Sequence, residues 1–254
     1  MAAPSSAQVQ RIFDQIAPIY DPLNDWLSLG QHRIWKQMTV NWSGAQPGDR
    51  VLDLCCGSGD LTQMLARQVG PTGWVTGLDF SAAQLANAQR RVAGKGIARR
   101  ITWQLGDAVA LPYPDLSFDA ITMGYGLRNV VNIPQALREI HRVLKPGARA
   151  AILDFCHSDH AGVQQVQRFF LNQLVVPLAT RFGCESEYAY IEASIERFPL
   201  GREQESLAQA AGFAQTTYYL TALGLMGVLV CQKASPPGTS DSPVGIGPGE
   251  ISAN

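Results

Sequence analysis

From Gly48 to about Lys233, short apolar runs alternate with stretches of helical periodicity, and this alternation restricts the chain to few folds. Alternating strands and helices form βαβ units, whose strands are parallel and whose helices cover the sheet. The last two apolar runs are close enough in sequence to form an antiparallel hairpin. The pattern predicts an α/β fold with a mostly parallel seven-stranded sheet and that hairpin at its edge. The predicted strands are 50–54, 74–79, 101–105, 118–123, 148–155, 216–220 and 225–233.

The chain of 254 residues suits one such domain, at 46–233, with additions at both ends. Residues 1–45 are expected to form helices that act as an N-terminal lid. Further helical patterns at 164–181 and 189–197 indicate a helical insertion at about 157–200. Residues 234–254 are rich in Pro, Gly and Ser without periodicity, which predicts a disordered tail. Within the domain, helices are predicted at 60–69, 81–92, 133–144 and 203–211, the second with Ser81 as its N-cap.

Composition excludes several classes of function. A formal net charge of −1 leaves no basic field for a phosphate backbone, so nucleic acid is not an expected partner. The N-terminus lacks the charged and apolar regions of a secretory signal, and the apolar run at 220–231 is too short to span a bilayer. The expected location is the cytoplasm, with contact at a membrane surface left open. The cysteines are odd in number, lack zinc-site spacing and are expected to be reduced thiols: Cys55, Cys56, Cys156, Cys184 and Cys231.

Candidate site residues follow the predicted strands. In an open parallel sheet, ligands bind beyond the carboxyl ends of the strands. The first strand runs into a glycine turn, "VLDLCCGSGD" at 51–60, where the backbone can approach a ligand and the next helix offers free N–H groups. Asp79 ends the second strand, 20 residues after Gly59, where an acid accepts hydrogen bonds from a ribose diol. The pattern predicts a nucleoside site.

Both NAD and S-adenosylmethionine carry a ribose diol, and three details favour S-adenosylmethionine. Thr62 occupies the third glycine position of the dinucleotide fingerprint. Asp53, within the first strand, suits the cationic amine of a methionine group and would repel a pyrophosphate. Asp107, after the third strand, is placed to accept from an adenine 6-amino group. Each acid also has a structural alternative: Asp53 as a helix-orienting acid, Asp79 as an N-cap and Asp107 as a turn residue.

Longer motifs resemble those of class I S-adenosylmethionine-dependent methyltransferases: "VLDLCCGSGDLT", "GLDFS", "GDAVALPYPDLSFDAIT", "GLRNV" and "ALREIHRVLKPG". More narrowly, "FDQIAPIYDPLNDWLSLGQHRIWK", "GLRNV" and "SIERFPLGREQESLAQAAGF" resemble the UbiE/MenG family of quinone C-methyltransferases, over about residues 10–233. The details are most similar to the branch in cyanobacteria and plastids, which methylates 2-phytyl-1,4-naphthoquinone. The resemblance implies a Rossmann-like class I methyltransferase fold, S-adenosylmethionine as methyl donor, no metal, and a reduced prenylated or phytylated naphthoquinone as acceptor in phylloquinone or menaquinone biosynthesis.

The resemblance also assigns cofactor-binding positions. Many methyltransferases have glycine in place of Cys55, and bacterial relatives have serine in place of Gly124, so both contacts are expected through the backbone. Cys56 is expected to pack as a small apolar residue. The cofactor candidates are Asp53, Cys55, Gly57, Ser58, Gly59, Asp79, Phe80, Asp107, Ala108 and Gly124.

The implied chemistry is methyl transfer to a ring carbon of a hydroquinone, which becomes nucleophilic as a hydroxyl proton leaves. Arg128 of "GLRNV" is the first candidate to stabilise the resulting oxyanion, with a loop-anchoring ion pair as the alternative. His32 and Asp154 are candidate bases, with a packing histidine and a structural acid as alternatives. Candidate quinol contacts are Tyr20, Asn129, Tyr188 and Tyr190. For Tyr188 and Tyr190 the alternative is a role in the core.

His157 and His160 have metal-like spacing, but the activated carbon acceptor needs no metal, so we interpret them as loop residues. The helical insertion, with Trp26 and Leu27, is a candidate groove for a phytyl or prenyl tail. Weak peripheral contact with a thylakoid or plasma membrane is therefore expected, and the sequence leaves the oligomeric state open. Three alternatives remain: methylation of another lipid-like acceptor such as a ubiquinone precursor or a sterol, a nicotinamide-dependent oxidoreductase, and a cofactor-binding protein without catalysis.

Overall fold

A computed structural model describes residues 30–156 and 193–235, together with residues 162, 165 and 190. One sheet holds seven strands in the order β3-β2-β1-β4-β5-β7-β6. The first five strands are parallel, and β7 runs antiparallel to both β5 and β6. The predicted mostly parallel sheet with an antiparallel C-terminal hairpin is confirmed. The strands are β1 (Arg50–Leu54), β2 (Trp74–Asp79), β3 (Ile101–Leu105), β4 (Phe118–Gly124), β5 (Leu144–Phe155), β6 (Gln215–Thr221) and β7 (Met226–Gln232).

Helices cover both faces of the sheet. They are α1 (His32–Trp42), α2 (Asp60–Gln68), α3 (Ala82–Val92), α4 (Ile133–Val143) and α5 (Gly201–Ala210). Successive residues of β1 face opposite sides, so Val51 joins an apolar cluster with α1, α2 and α3, while Leu52 and Leu54 join one with α4 and α5. Burial on both faces explains the nearly continuous apolar runs of the central strands.

Local signals placed most helix ends correctly. The Oγ of Ser81 accepts a hydrogen bond from the backbone N–H of Gln84, as expected of the N-cap of α3. The strand predicted at 148–155 begins four residues earlier, at Leu144, and so includes the segment "KPG" at 145–147. Leu144 pairs with Phe118, and the register with β4 then shifts before regular pairing resumes. Because of this irregularity, "KPG" is part of strand β5 and does not form a separate turn.

Several predicted regions lie outside the part of the chain that the structure describes. These are residues 1–29 of the predicted lid, nearly all of the insertion before residue 193, and the tail from 236 onward. Residues 30–45 of the N-terminal segment are described, and they contain α1. Within the described residues, no helix has the length and apolar character needed to cross a bilayer.

Candidate active site

A cavity of about 260 Å³ lies beyond the carboxyl ends of β1 to β4. Its wall is formed by the ends of these strands and by the loops and helix starts that follow them, and α1 adds one residue, Lys36. This is the position that open parallel sheets use for ligands. The predicted cofactor residues that line it are Cys55, Gly57, Ser58, Asp79, Phe80, Asp107, Ala108 and Gly124.

The loop after β1 bends sharply under the cavity. Cys55 has a φ of 52°, in the left-handed region that favours glycine, the residue expected at this position from the resemblance to methyltransferases. Its side chain packs closely against Gly126, where an added Cβ would lie 2.6 Å from that of Cys55. Gly59 has a φ of 82°, and an added Cβ there would lie 2.7 Å from the Trp103 ring. Gly59 therefore shapes the loop from behind, without lining the cavity.

Asp79 connects this loop to the start of α3. One carboxylate oxygen accepts the backbone N–H of Gly57 at 2.8 Å, and the other accepts that of Ser81 at 2.9 Å. The N-cap of α3 is Ser81, so Asp79 does not have the capping role given as its alternative. Because a carboxylate oxygen can accept more than one hydrogen bond, Asp79 can still accept from a diol in the cavity that it lines.

Asp107 fits both of its interpretations. Its carboxylate accepts the backbone N–H of Val109 at 3.1 Å, as a turn residue would. It also lines the cavity together with Ala108, next to the end of β3. An acceptor at this position can meet the exocyclic amine of an adenine.

Asp53 lies below the cavity and is fully buried. Its two oxygens accept hydrogen bonds from the hydroxyls of Thr62, at 2.6 Å, and Thr122, at 2.8 Å. Burial raises the pKa of Asp53 to about 7, although both hydroxyls favour the ionised form. From the sequence, Thr62 was noted only because it replaces the third glycine of the dinucleotide fingerprint. In the structure it is a hydrogen-bond partner of Asp53. Asp53 does not line the cavity, and its contact with a methionine amine stays a prediction.

Sequence reasoning missed two charged residues in the cavity wall, Lys36 and Asp60. The Nζ of Lys36 donates to the Oδ2 of Asp60 at 2.6 Å, and Arg91 donates to the other oxygen at 2.7 Å. Burial alone would raise the pKa of Asp60, but the two cations hold it at about 2. A possible signal was the "HRIWK" motif, since the side chains of His32 and Lys36 are four residues apart and point to one face of a helix.

Arg128 forms a buried ion pair with Asp154. The Nη1 of Arg128 lies 2.5 Å from the Oδ1 of Asp154, and each side chain is 3% exposed. The same nitrogen donates to the carbonyl of Tyr125, and the guanidinium stacks on the Phe155 ring at 4.9 Å. Neither Arg128 nor Asp154 lines the cavity. This geometry matches the alternative of a loop-anchoring ion pair, and direct roles in catalysis stay predictions for both residues.

The anchored loop presents Asn129 to the cavity. The Nδ2 of Asn129 donates to the carbonyl of Tyr125, and its Oδ1 accepts the hydroxyl of Tyr190 at 2.9 Å. Burial raises the pKa of Tyr190, so this hydroxyl stays protonated and can donate. His32 is buried at the start of α1 and does not line the cavity. This position fits the alternative of a packing histidine.

Other predicted residues fall outside the described ranges: Tyr20, Trp26, Leu27, His157, His160 and Tyr188. Among the residues that are described, no cluster of three or more His, Cys, Asp or Glu could hold a metal ion.

The chemistry of the cavity fits S-adenosylmethionine. Carboxylate acceptors stand at the ends of β2 and β3, where a ribose diol and an adenine amine need them. The loop after β1 provides a backbone cradle, and the Lys36–Asp60 ion pair joins the start of α2, directly after this loop, to a cation that lies over Tyr125 after β4. A molecule with a nucleoside at one end and a zwitterion at the other matches this arrangement.

Comparison with known proteins agrees with this geometry. The model of the ubiE/COQ5 methyltransferase family matches residues 1–233. A protein of Nostoc sp. named 2-phytyl-1,4-naphtoquinone methyltransferase is 54% identical over 226 residues, which cover 89% of this chain and 99% of the relative. A chloroplastic protein of Arabidopsis thaliana, named 2-phytyl-1,4-beta-naphthoquinone methyltransferase, is 51% identical over 224 residues, covering 87% and 86% of the two chains.

Among solved structures, a putative S-adenosyl-L-methionine-dependent methyltransferase from Methanococcus maripaludis has a TM-score of 0.62 at 18% identity, over 89% of this chain and 95% of its own. A SAM-dependent methyltransferase from Aquifex aeolicus has a TM-score of 0.57 at 18% identity, over 78% and 88% of the two chains. At these identities the likeness establishes the fold, which is that of class I methyltransferases. Together with the family match and the close relatives, it shows that the chain belongs to the ubiE/COQ5 methyltransferase family and is an S-adenosylmethionine-dependent methyltransferase.

Proposed function

We propose that this enzyme transfers a methyl group to a ring carbon of reduced 2-phytyl-1,4-naphthoquinone, the last step of phylloquinone biosynthesis. The substrate is inferred from relatives named as methyltransferases of 2-phytyl-1,4-naphthoquinone, which are 51% and 54% identical over most of both chains. The class of reaction follows from family membership, which also argues against a nicotinamide-dependent oxidoreductase and against a binding protein without catalysis.

S-adenosylmethionine supplies an electrophilic methyl group when it is bound. The chain must hold the acceptor ring in line with that group and must accommodate the negative charge that develops on the quinol oxygen. In the described part of the cavity, residues 129–132 after β4 form one part of the wall. Asn129 supplies polar groups there, while Val130 and Val131 supply apolar surface for a naphthoquinol ring.

In this proposal Arg128 is a positioning residue. Its ion pair with Asp154 holds the turn Leu127–Asn129, and so fixes where Asn129 and Val130 meet the ring. Direct stabilisation of the quinol oxygen by Arg128 is a second candidate role, since Arg128 carries the one positive charge in the segment 124–132. Variants of Arg128 and Asp154 separate the two roles by their effects on stability and turnover.

A transfer assay tests the substrate. With labelled S-adenosylmethionine, the purified enzyme should methylate reduced 2-phytyl-1,4-naphthoquinone and leave the oxidised form unmodified, because an electron-poor quinone ring cannot attack the methyl group. The oxidised form has the same tail and is the matched control. Absence of transfer to the reduced naphthoquinone would overturn the proposal, and faster transfer to a ubiquinone precursor or a sterol would support the alternative lipid-like acceptor.

The acceptor's phytyl tail partitions into lipid, so the proposal includes weak contact with a thylakoid or plasma membrane by a cytoplasmic enzyme. Val131 supports this contact, because it lines the cavity and is nevertheless 59% exposed. In a flotation assay, part of the enzyme should rise with anionic vesicles that contain the quinone. Enzyme that stays entirely at the bottom of the gradient, with and without the quinone, would contradict membrane contact.

A further inference from the structure

The ion pair between Lys36 and Asp60 lies where the amino-acid end of the methyl donor should fall. Asp107 and Asp79 follow β3 and β2, whereas Asp60 begins α2 after β1 and Lys36 lies above the Tyr125 ring, directly after β4. The order β3-β2-β1-β4 therefore places Asp60 one to two strand spacings, and Lys36 two to three, from the nucleoside acceptors, which is roughly 5–14 Å. This separation matches an extended ligand with its nucleoside over β2 and β3.

The distribution of charge in the cavity wall also indicates that the amino-acid end of the donor lies near Lys36. In the described lining, Lys36 is the one cation, beside three carboxylates, those of Asp60, Asp79 and Asp107. The side chain of Lys36 is 7% exposed, so its ammonium has lost most of its water. An ammonium has three donors, and within the described residues Nζ makes one hydrogen bond, to Asp60. A desolvated cation with spare donors in a cavity wall is suited to bind an anionic group.

Asp53, the carboxylate first expected to hold the methionine amine, lies outside the cavity lining, and its oxygens are directed to two threonine hydroxyls. Asp60 lies in the lining, and Arg91 orients it from outside the cavity through its other oxygen. A Lys–Asp pair is complementary to a zwitterion, whose ammonium and carboxylate can each meet the opposite charge.

We infer that Lys36 and Asp60 together bind the zwitterionic amino-acid group of S-adenosylmethionine, with Lys36 on its α-carboxylate and Asp60 on its α-ammonium. The inference rests on the binding of this donor in the proposed function. It gives α1, which lies outside the βαβ core, a direct part in donor binding: the helix closes the cavity with a charge that the sheet and its loops do not supply.

Calorimetric titration of the unmodified enzyme gives the first test. S-adenosylhomocysteine should bind about 10- to 100-fold more tightly than S-adenosyl-3-thiopropylamine, which has the same nucleoside and amine but lacks the carboxylate. Equal affinities would overturn the inference without any variant. If neither compound binds, the proposed function fails as well, which distinguishes that outcome from failure of the inference alone.

Variants complete the test. Lys36→Met should weaken S-adenosylhomocysteine by about 10- to 100-fold and leave S-adenosyl-3-thiopropylamine nearly unchanged, while Lys36→Arg should keep most of the affinity. Lys95→Met is the matched control, because Lys95 donates to Gln63 outside the cavity lining. Equal weakening of both ligands by Lys36→Met would show that the ion pair only tethers α1 to α2, and would overturn the inference.

Discussion

Replacing Arg128 with methionine should lower the free energy of unfolding by about 3–5 kcal/mol, because the carboxylate of Asp154 would stay buried without its charged partner. The backbone N–H groups of Arg128 and Phe155 would still donate to Asp154, but they do not neutralise its charge. Methionine keeps apolar contact with the Phe155 ring, so most of the loss should come from the unpaired charge. Urea denaturation followed by circular dichroism measures the change.

Two further variants isolate the cause. The double variant Arg128→Met/Asp154→Leu should recover most of the lost stability, because it removes both buried charges. Lys145→Met serves as control: Lys145 pairs with Asp119 at 41% side-chain exposure, so its loss should cost less than about 1 kcal/mol. A double variant as unstable as Arg128→Met alone would show that the buried charge is not the cause.

The same variants separate the two roles of Arg128 in turnover. Arg128→Met should lose most turnover and keep nearly all affinity for S-adenosylmethionine, because neither Arg128 nor Asp154 lines the cavity. If the double variant regains turnover together with stability, the ion pair acts by holding the loop of Asn129. If it regains stability only, one of the two charges takes part in the chemistry itself.

Replacing Asp53 with asparagine should stabilise the protein more at high pH than at low pH. Burial raises the pKa of Asp53 from 3.8 to about 7. The protonated acid is therefore compatible with the fold below about pH 4, and this contribution is lost as pH rises to about 7, where the folded protein must hold a buried carboxylate. The rise in pKa corresponds to about 4 kcal/mol as an upper value. Asparagine does not titrate, and it can still hydrogen-bond both Thr62 and Thr122.

Unfolding free energies measured between pH 4 and pH 8 test this expectation. The difference between Asp53→Asn and the unmodified enzyme should grow with pH. Glu139→Gln is the matched control, because hydrogen bonds from Arg142 hold the pKa of Glu139 below its usual value, and its difference should be flat from pH 5 upward. If the difference in unfolding free energy for Asp53→Asn is independent of pH, or grows toward low pH, the raised pKa of Asp53 is contradicted.

The sequence by itself determined the secondary structure closely where local signals and burial agree. The ranges predicted for β1, β2 and β3 match the structure, because strands buried on both faces leave unbroken apolar runs bounded by turn residues. The start of β5 was misplaced, since "KPG" is a stop signal for a helix, whereas pairing of Leu144 with Phe118 depends on another strand. Most predicted cofactor residues line the cavity because a parallel sheet brings the ends of its strands to one edge.

Only the tertiary structure decided which charges meet. Lys36 is 24 residues from Asp60, and Arg128 is 26 residues from Asp154. Such pairs depend on how helices and loops pack on the sheet, and no local pattern records that packing. The same holds for Asp53: the sequence places an acid in β1, but side chains alternate between the faces of a strand, and only the fold directs this one toward two threonines beneath the cavity.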